Sequence, residues 1–255
     1  MDATLNDQIE PLLDDLLVGI KSALGPKLVG LYLYGSLVSG GFLPDVSDLD
    51  LLAAMAGEVE ASDLDPLREM HDRVARRHPA WENRIEVAYL SLAGLRTFTE
   101  HRSPLAIISP GEPLHLIDAG SDWLMNWYLV REGGRTLFGP PPATLIAPIA
   151  KAAFVESIRE LARQSGVWTD RLGTRGPLAY AVLTMCRALL LHRRGEHLSK
   201  EEAAVWAREE LPAWADLIDN AVRWRADPRQ HAVGAEGSVP AALRFLDEVR
   251  GLIDA

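Results

Sequence analysis

The sequence has a single cysteine, Cys186, so an internal disulfide framework is excluded. A chain without disulfides suits a reducing compartment, and we therefore expect a cytoplasmic protein. Apolar runs long enough to span a bilayer are also missing, and acidic residues stand near the N-terminus where a secretory signal would carry basic ones. We expect no association with membranes.

Basic residues are scarce relative to acidic ones. The formal net charge is −10, whereas a general nucleic-acid-binding protein needs a basic face to meet phosphates. We expect no nucleic-acid partner, and an acidic protein suits a cationic small substrate. The 255 residues are 48% hydrophobic, which is enough for one or two domains with real cores.

The stretch from Lys27 to Ala54 is the most informative part of the chain. Residues 28–34 are aliphatic, aromatic or β-branched apart from one glycine and end at Gly35, which favours a strand followed by a tight turn. Ser36 and the amides after it are placed to cap a short helix over residues 37–39, and such a turn offers N–H donors to an anion such as a triphosphate.

Two carboxylates follow on the next predicted strand. Asp48 and Asp50 are two residues apart, so their side chains project from the same face. Carboxylates held this close repel one another unless a cation lies between them, and Mg²⁺ is the natural cation for hard oxygen ligands facing a phosphate site. Taken alone, an Asp-x-Asp pair also occurs at solvated strand ends.

A strand that ends in Gly35-Ser36, with Asp48-x-Asp50 on the next strand, resembles the signature of the nucleotidyltransferase superfamily. Leu33-Tyr34-Gly35-Ser36, Gly40-Gly41 and Ser47-Asp48-Leu49-Asp50-Leu51-Leu52 resemble more specifically the aminoglycoside adenylyltransferases that modify streptomycin and spectinomycin. The resemblance implies an N-terminal domain of the α/β (α+β) nucleotidyltransferase fold with a mixed sheet. It also implies that Gly35 and Ser36 bind the phosphates of ATP and that Asp48 and Asp50 bind Mg²⁺, two ions being expected.

The elements on either side of this stretch are also legible. Apolar spacing predicts an amphipathic helix over residues 3–24 and a second helix from an N-cap within residues 61–63 to about residue 78. Residues 84–90 alternate as a third strand, with Glu86 on an otherwise apolar face. The resemblance implies that Glu86 is the third acid of the metal site and the base that acts on the substrate hydroxyl.

The second half of the chain is helical in pattern. Residues 93–140 show little periodicity apart from a helix over 122–131, and residues 137–142 predict a rigid proline-rich connector. We therefore expect a nucleotidyltransferase domain over residues 1–142 and an all-α helical bundle over residues 143–255. The predicted helices of the bundle are 148–165, 177–194, 199–211, 213–226 and 239–253.

Two cations of the helical half have counterparts in the family. Residues 183–187 and 198–207 are similar to the adenylyltransferase C-terminal domain, and the resemblance implies that Arg187 and Lys200 bind the nucleotide phosphates. Cations at such positions would offset the charge that builds on leaving pyrophosphate. The residue types alone leave two alternatives open: Arg187 could instead pair with Glu201 or Glu202, and Lys200 could be an ordinary solvated lysine.

The resemblance extends less well to the acceptor site. It implies substrate-binding roles for Trp168, Asp170 and Glu112. Trp168 matches the family tryptophan, but Gly173 stands near the position of the family aspartate, with Asp170 close by. The family's Gly-Glu-Trp is Gly111-Glu112-Pro113 here. These departures weaken the case for streptomycin itself.

Together these features predict a monomeric, magnesium-dependent enzyme that transfers AMP from ATP to a hydroxyl of an aminoglycoside or aminocyclitol antibiotic and so confers resistance. Two alternatives remain open. One is a nucleotidyltransferase that modifies a protein or tRNA, as in toxin–antitoxin systems. The other is a nucleotide-binding sensor without catalysis.

Overall fold

The computed structural model describes residues 3–164 and 172–254. The chain divides into two compact units. The first comprises Met1–Val38 and Ser47–Ile149, and the second comprises Ser39–Val46 and Ala150–Ala255. We call Ser39–Val46 the glycine loop because it carries Gly40 and Gly41. Its membership of the second unit was not predicted from the sequence.

The first unit is built on one mixed sheet, as predicted, and the sheet has six strands, of which the sequence predicted three. The strand order is β5-β4-β3-β2-β1-β6, and β2 and β3 are parallel while every other neighbouring pair is antiparallel. The strands are β1 (Leu28–Tyr34), β2 (Leu49–Met55), β3 (Ile85–Ser91), β4 (Ser103–Ser109), β5 (Glu112–Ala119) and β6 (Arg135–Phe138).

The three central strands are almost wholly buried. In each of them only the second residue is partly accessible, because both faces of the sheet are covered there. In β2 and β3 that second residue is Asp50 and Glu86 respectively. In β1 it is the apolar Val29, so Asp50 and Glu86 are the acidic side chains at the partly accessible positions of the central strands.

Two long helices accompany the sheet of the first unit. They are α1 (Ala3–Leu24) and α3 (Ala61–Arg77), which pack against each other, and both were predicted. The start of α3 is capped by a reciprocal pair of bonds between Glu60 and Asp63, one residue earlier than expected. Inside the unit, His71 of α3 is hydrogen-bonded to the Tyr89 hydroxyl on β3 at 2.7 Å.

Residues 93–140 contain more regular structure than their sequence indicates. Besides β4 and β5 they form α4 (Leu92–Thr97) and α5 (Leu124–Gly133), of which only α5 was predicted. The prediction that residues 137–142 are only a connector was wrong for Leu137 and Phe138. These residues end β6, whose backbone pairs with β1 and satisfies hydrogen-bonding groups that would otherwise form an open sheet edge.

The second unit is all-α, as predicted. Its helices are α6 (Lys151–Arg163), α7 (Arg175–Arg194), α8 (Lys200–Glu210), α9 (Ala215–Ala226), α10 (Pro228–His231) and α11 (Val239–Asp254). α7 is the central helix: it packs on α6, α8, α9, α10 and α11 and carries the buried Cys186. The short helix after β1 is α2 (Ser36–Ser39), whose last residue, Ser39, already belongs to the second unit. Within the described ranges, none of the helices combines the length and the apolarity needed to cross a bilayer.

Candidate active site

Four polar side chains form a row across one face of the sheet in the first unit. The strand register pairs Tyr34 with Asp50 and Asp50 with Glu86. Directly paired residues point to the same face, and neighbouring strands lie about 4.8 Å apart, so these groups are held side by side by the backbone. On the far side of Glu86, the hydroxyl of Ser109 donates a hydrogen bond to Oε2 of Glu86 at 3.1 Å. We call these four residues the polar row.

Gly35 makes room for the first carboxylate of the row. Its φ is +72°, a conformation that side-chain-bearing residues rarely adopt, and a Cβ built there would lie 1.8 Å from Oδ2 of Asp50. The carboxylate of Asp50 therefore lies directly against the backbone of the turn after β1. Only glycine allows this approach, which places the turn and the acid at one site.

Ser36 follows this turn and begins α2. Its hydroxyl oxygen is buried and has no hydrogen-bond partner among the described residues. A buried hydroxyl without a partner is costly, so such a group in a folded protein calls for an explanation such as an unseen ligand. A phosphate oxygen is a ligand of the right chemistry, because it would accept a hydrogen bond from the hydroxyl.

Asp48 precedes β2 and does not lie within it as predicted, and Arg84 holds the backbone on both sides of it. Nε of Arg84 donates to the carbonyl of Ser47 at 3.1 Å, and the amide of Leu49 donates to the carbonyl of Arg84 at 2.9 Å. The guanidinium also lies over the ring of Trp81, 4.5 Å from its centroid. Asp48 is therefore placed by fixed neighbours although it is outside the strand.

The electrostatics of the row show that negative charge accumulates around Glu86. Burial raises the pKa of Glu86 above its usual value, and the charge of Asp48 raises it further. The hydrogen bond from Ser109 lowers this pKa, whereas the charge of Glu112 raises it. A cation placed among these carboxylates would relieve the repulsion.

Tyr34 closes the other end of the polar row. Its side chain is fully buried, and its hydroxyl accepts a hydrogen bond from Nδ2 of Asn126 on α5 at 3.2 Å. Burial raises the pKa of Tyr34 well above its usual range, and the charges of Asp50 and Glu86 add to this. Tyr34 therefore stays neutral and presents a hydroxyl to the acidic side chains.

The donor set fits a hard divalent cation. Asp48, Asp50 and Glu86 offer carboxylate oxygens on one side of the sheet, the ligand type that Mg²⁺ prefers. Across residues 3–164 and 172–254, no three His, Cys, Asp or Glu side chains converge as a ready-made metal cage. The register puts Asp50 beside Glu86, and the charge of Asp48 acts on Glu86, so the three acids share one region without forming such a cage.

The two predicted phosphate ligands both belong to the second unit. Arg187 lies on α7, half-buried, and its charge is felt by His197, whose pKa is lowered to about 4 mainly by burial and then by Arg187. Lys200 is the first residue of α8, and its ammonium lies 4.5 Å from the centroid of the Tyr180 ring. Their proposed role in binding phosphates stays a prediction.

Glu201 and Glu202, the alternative partners of Arg187, make other contacts. Glu201 forms an ion pair with Arg225, and Glu202 closes a capping box with Ser199 at the start of α8. The capping box fixes where α8 begins and therefore fixes the backbone position of Lys200.

Of the three predicted acceptor-site residues, only Glu112 lies among the described residues. Glu112 is exposed at the start of β5, opposite Ser109 in the register, which puts its charge near Glu86. Trp168 and Asp170 lie outside the described residues. Their assignment to the acceptor site stays a prediction.

Four residues that the sequence analysis did not single out belong to this region: Tyr34, Arg84, Ser109 and Asn126. Tyr34 directly precedes the Gly-Ser turn and Arg84 begins the predicted third strand, so both had a positional signal. Ser109 and Asn126 come from the stretch without clear periodicity. Their roles depend on strand register and on the packing of α5, which local sequence does not reveal.

Comparison with known proteins supports this reading of the fold. Residues 16–109 match the family model of the nucleotidyltransferase domain, and residues 144–248 match that of the aminoglycoside adenylyltransferase C-terminal domain. The chain is similar to the spectinomycin adenyltransferase AAD(9) from Enterococcus faecialis, whose crystal structure contains ATP and spectinomycin. The TM-score is 0.76 at 17% sequence identity, over 96% of this chain and 99% of that one.

Two further solved structures align with a smaller part of the chain. A toxin–antitoxin complex with AMP-PNP is 15% identical with a TM-score of 0.30, over 60% of this chain and 90% of that one. A tri-AMPylated HEPN toxin of Shewanella oneidensis in complex with its MNT antitoxin is 14% identical with a TM-score of 0.29, over 62% and 89%.

Proposed function

Because the chain belongs to the aminoglycoside adenylyltransferase family of the nucleotidyltransferases, we propose that it transfers AMP from ATP to a hydroxyl group of an aminoglycoside or aminocyclitol antibiotic and so confers resistance. The observation that carries the proposal is the polar row, in which Asp50 and Glu86 lie side by side with Gly35 packed against Asp50. In the proposed enzyme, the turn would bind phosphates, the acids would bind metal, and Glu86 would act as the base.

The phosphates of ATP would be bound by hydrogen-bond donors of the turn after β1 and by positively charged side chains. The Ser36 hydroxyl, which has no partner among the described residues, and the amides of its turn would donate hydrogen bonds to the β- and γ-phosphates. Arg187 and Lys200 are the proposed cations that would offset phosphate charge. Asp48 and Asp50, with Glu86, would hold Mg²⁺. When bound, Mg²⁺ screens the charge of the phosphates and of the departing pyrophosphate.

Glu86 is the proposed general base. It accepts the proton of the acceptor hydroxyl while that oxygen forms a bond to the α-phosphorus, and the bond from the α-phosphorus to the bridging oxygen breaks to release pyrophosphate. The raised pKa of Glu86 suits this task, because a more basic carboxylate is the better proton acceptor. The hydrogen bond from Ser109 keeps the accepting carboxylate in one orientation.

The acidic character of the site supports a cationic acceptor. Asp48, Asp50, Glu86 and Glu112 place four carboxylates in one region of a chain whose net charge is −10. Aminoglycosides and aminocyclitols carry protonated amines, and clustered carboxylates attract such molecules and hold them by charge-assisted hydrogen bonds. Spectinomycin is the first compound to test, since it is present in the structure of AAD(9).

The experiment that tests the proposal is release of pyrophosphate from MgATP across a panel of antibiotics that includes spectinomycin and streptomycin. Asp50→Asn provides the blank, and mass spectrometry of the antibiotic detects the added AMP. We expect release that depends on one compound or a few related ones. Silence across the panel, with thermal stabilisation by MgATP still present, would contradict an antibiotic acceptor and redirect the search to other hydroxyl compounds, a protein or tRNA.

A further inference from the structure

The glycine loop lies directly on the start of α8 in the second unit. Gly41 has a φ of +78°, and a Cβ added to it would lie 2.6 Å from Cβ of Ser199 and 2.8 Å from Oε2 of Glu201. No side chain fits at this position of the loop. The backbone of the loop therefore packs against the same helix start that carries Lys200.

Arg225 on α9 ties the loop to this helix. Its guanidinium forms an ion pair with Glu201 and also donates a hydrogen bond to the carbonyl of Gly41 at 3.4 Å. The side chain of Arg225 is only 11% exposed and that of Glu201 is 35% exposed, so the pair is partly shielded from water. A planar guanidinium with five N–H donors is suited to hold a carboxylate and a carbonyl at once.

The loop is a short piece of chain between two parts of the candidate site. It follows α2, which begins at Ser36, and it precedes Asp48. Its partner Glu201 directly follows Lys200 in the sequence. The Arg225–Glu201 pair therefore restrains the segment between the Gly35–Ser36 turn and Asp48. Glu201 lies on α8, the helix that begins with Lys200.

We propose that Arg225 and Glu201 are positioning residues, which hold the glycine loop against α8 so that the Gly35–Ser36 turn and Asp48 are set for MgATP. Neither side chain is assigned a contact with the substrates. The holding of the loop stands on the contacts alone, whereas its effect on ATP use rests on the function proposed above.

Loss of either partner should free the loop. One oxygen of the Glu201 carboxylate is already buried without a hydrogen-bond partner among the described residues. Removing the guanidinium takes away the cation that is paired with this carboxylate there. The carbonyl of Gly41 loses its donor at the same time. The loop then gains open conformations at the expense of the packed one, which increases access to its peptide bonds.

Limited proteolysis tests this step without any assumption about function. Chymotrypsin cleaves after aromatic residues, and cleavage after Phe42 in the loop releases the first 42 residues. We expect Arg225→Met to be cut there about tenfold faster than wild type, equivalent to about 1.4 kcal/mol less free energy holding the loop closed. The matched control is Arg223→Met on the same helix, an exposed arginine bonded to Asn220. Equal cleavage rates for the Arg225 variant and wild type would overturn the proposal.

A second pair of variants covers the case in which Arg225→Met fails to fold. Gly41→Ala pushes the loop away by collision and leaves the ion pair in place, whereas Gly40→Ala introduces a methyl group with nothing within 4 Å of it. Both positions have positive φ, so both variants carry backbone strain. Cleavage that rises clearly more in Gly41→Ala than in Gly40→Ala supports the packed loop, and equal effects refute it.

Kinetics then test the consequence for the reaction. We expect Arg225→Met to raise the KM for ATP about tenfold with little change in the KM for the antibiotic, and the double variant Arg225→Met/Glu201→Gln to be no worse than the single one. A general loss of folding would lower the amount of active enzyme and so the apparent kcat, without raising the KM for ATP selectively. If the chain fails to use ATP, the cleavage experiment still decides whether the pair holds the loop. If cleavage rises and the KM for ATP does not, the positioning role is wrong.

Discussion

Replacing Gly35 by alanine should separate catalysis from stability. The added Cβ would lie 1.8 Å from Oδ2 of Asp50, whereas ordinary contact begins at 3.4 Å, so the carboxylate must move by about 1.6 Å. A displacement of 1 Å at a reacting centre can cost about a hundredfold in rate. We therefore expect Gly35→Ala to lower kcat/KM at least about 10²-fold, which corresponds to about 2.7 kcal/mol of transition-state stabilisation.

The expected cost in stability is smaller. An alanine forced into the left-handed region costs about 1–2 kcal/mol, and the end of the Asp50 side chain can rotate away from the new methyl group. Gly25→Ala is the matched control, because Gly25 also has positive φ, at +53°, but nothing lies within 4 Å of its added Cβ. It carries similar strain without touching the site.

The assay is antibiotic-dependent pyrophosphate release, with thermal unfolding of each variant measured alongside. Gly25→Ala should lose some stability and keep its activity, and Gly35→Ala should lose most of its activity at a similar cost in stability. Near wild-type kcat/KM in Gly35→Ala would show that the close approach of the turn to Asp50 is not needed for transfer, and the account of the site given above would be wrong.

Three further predictions concern Asp50 and Glu86 of the polar row and His71, which contacts the other side of the sheet. Asp50→Asn should abolish transfer while leaving the fold intact, because the amide keeps the shape of the side chain and removes the charge that would bind Mg²⁺; wild-type-like turnover in this variant would refute the metal assignment. Glu86→Gln should lose about 10²–10⁴-fold in turnover and keep its stabilisation by MgATP, as measured by thermal shift, and retained turnover would refute its role as base. Burial lowers the pKa of His71 to about 4, whereas a histidine in the unfolded chain has a pKa of about 6.5. Between these two pH values the unfolded chain binds a proton that the folded chain does not. The stability present above about pH 6.5 is therefore lost as the pH falls. Denaturant unfolding should show about 2 kcal/mol less stability at pH 5 than at pH 7 from this group, and His71→Gln should flatten the slope by that amount.

Much of the fold could be predicted because its elements have strong local patterns. β1 and the helices of the second unit are marked by continuous apolar residues or helical spacing, and glycines or prolines mark most of their ends. Two boundary errors came from the residues near an element's start. Asp48 precedes β2, and the cap of α3 is Glu60, because a hydrogen-bond pattern decides these ends and residue type alone does not.

The strands that were missed are the outer ones. β4 and β5 each carry a proline, Pro104 and Pro113, as the second residue, and β6 has only four residues, so none shows a clean alternation. Their existence depends on pairing with strands far away in the sequence. β6, for example, is defined by its register against β1 and not by its own composition.

Some residues of the candidate site could be predicted from the sequence and others could not. Asp50 and Glu86 could be found because acids within apolar strands are unusual, Asp48 because it stands two residues before Asp50, and Gly35 because the turn needs it. Ser109 and Asn126 could not, since a serine at a strand end and an asparagine on a helix are ordinary until the register brings them to Glu86 and Tyr34. The Arg225–Glu201 pair joins residues 24 positions apart and serves a loop 184 residues from Arg225, a relation with no local signal.

That loop has a consequence for the order in which the chain matures on the ribosome. All six strands of the sheet have been synthesised by residue 138, but the helix that carries Arg225 is complete only at residue 226, which is 180 residues after the loop ends. At about 5–20 residues per second, the loop waits about 10–40 s for its partner. A nascent chain can thus have a finished sheet and still lack the restraint on the segment before Asp48. Chains released before α9 is made would keep their carboxylates and should remain inactive.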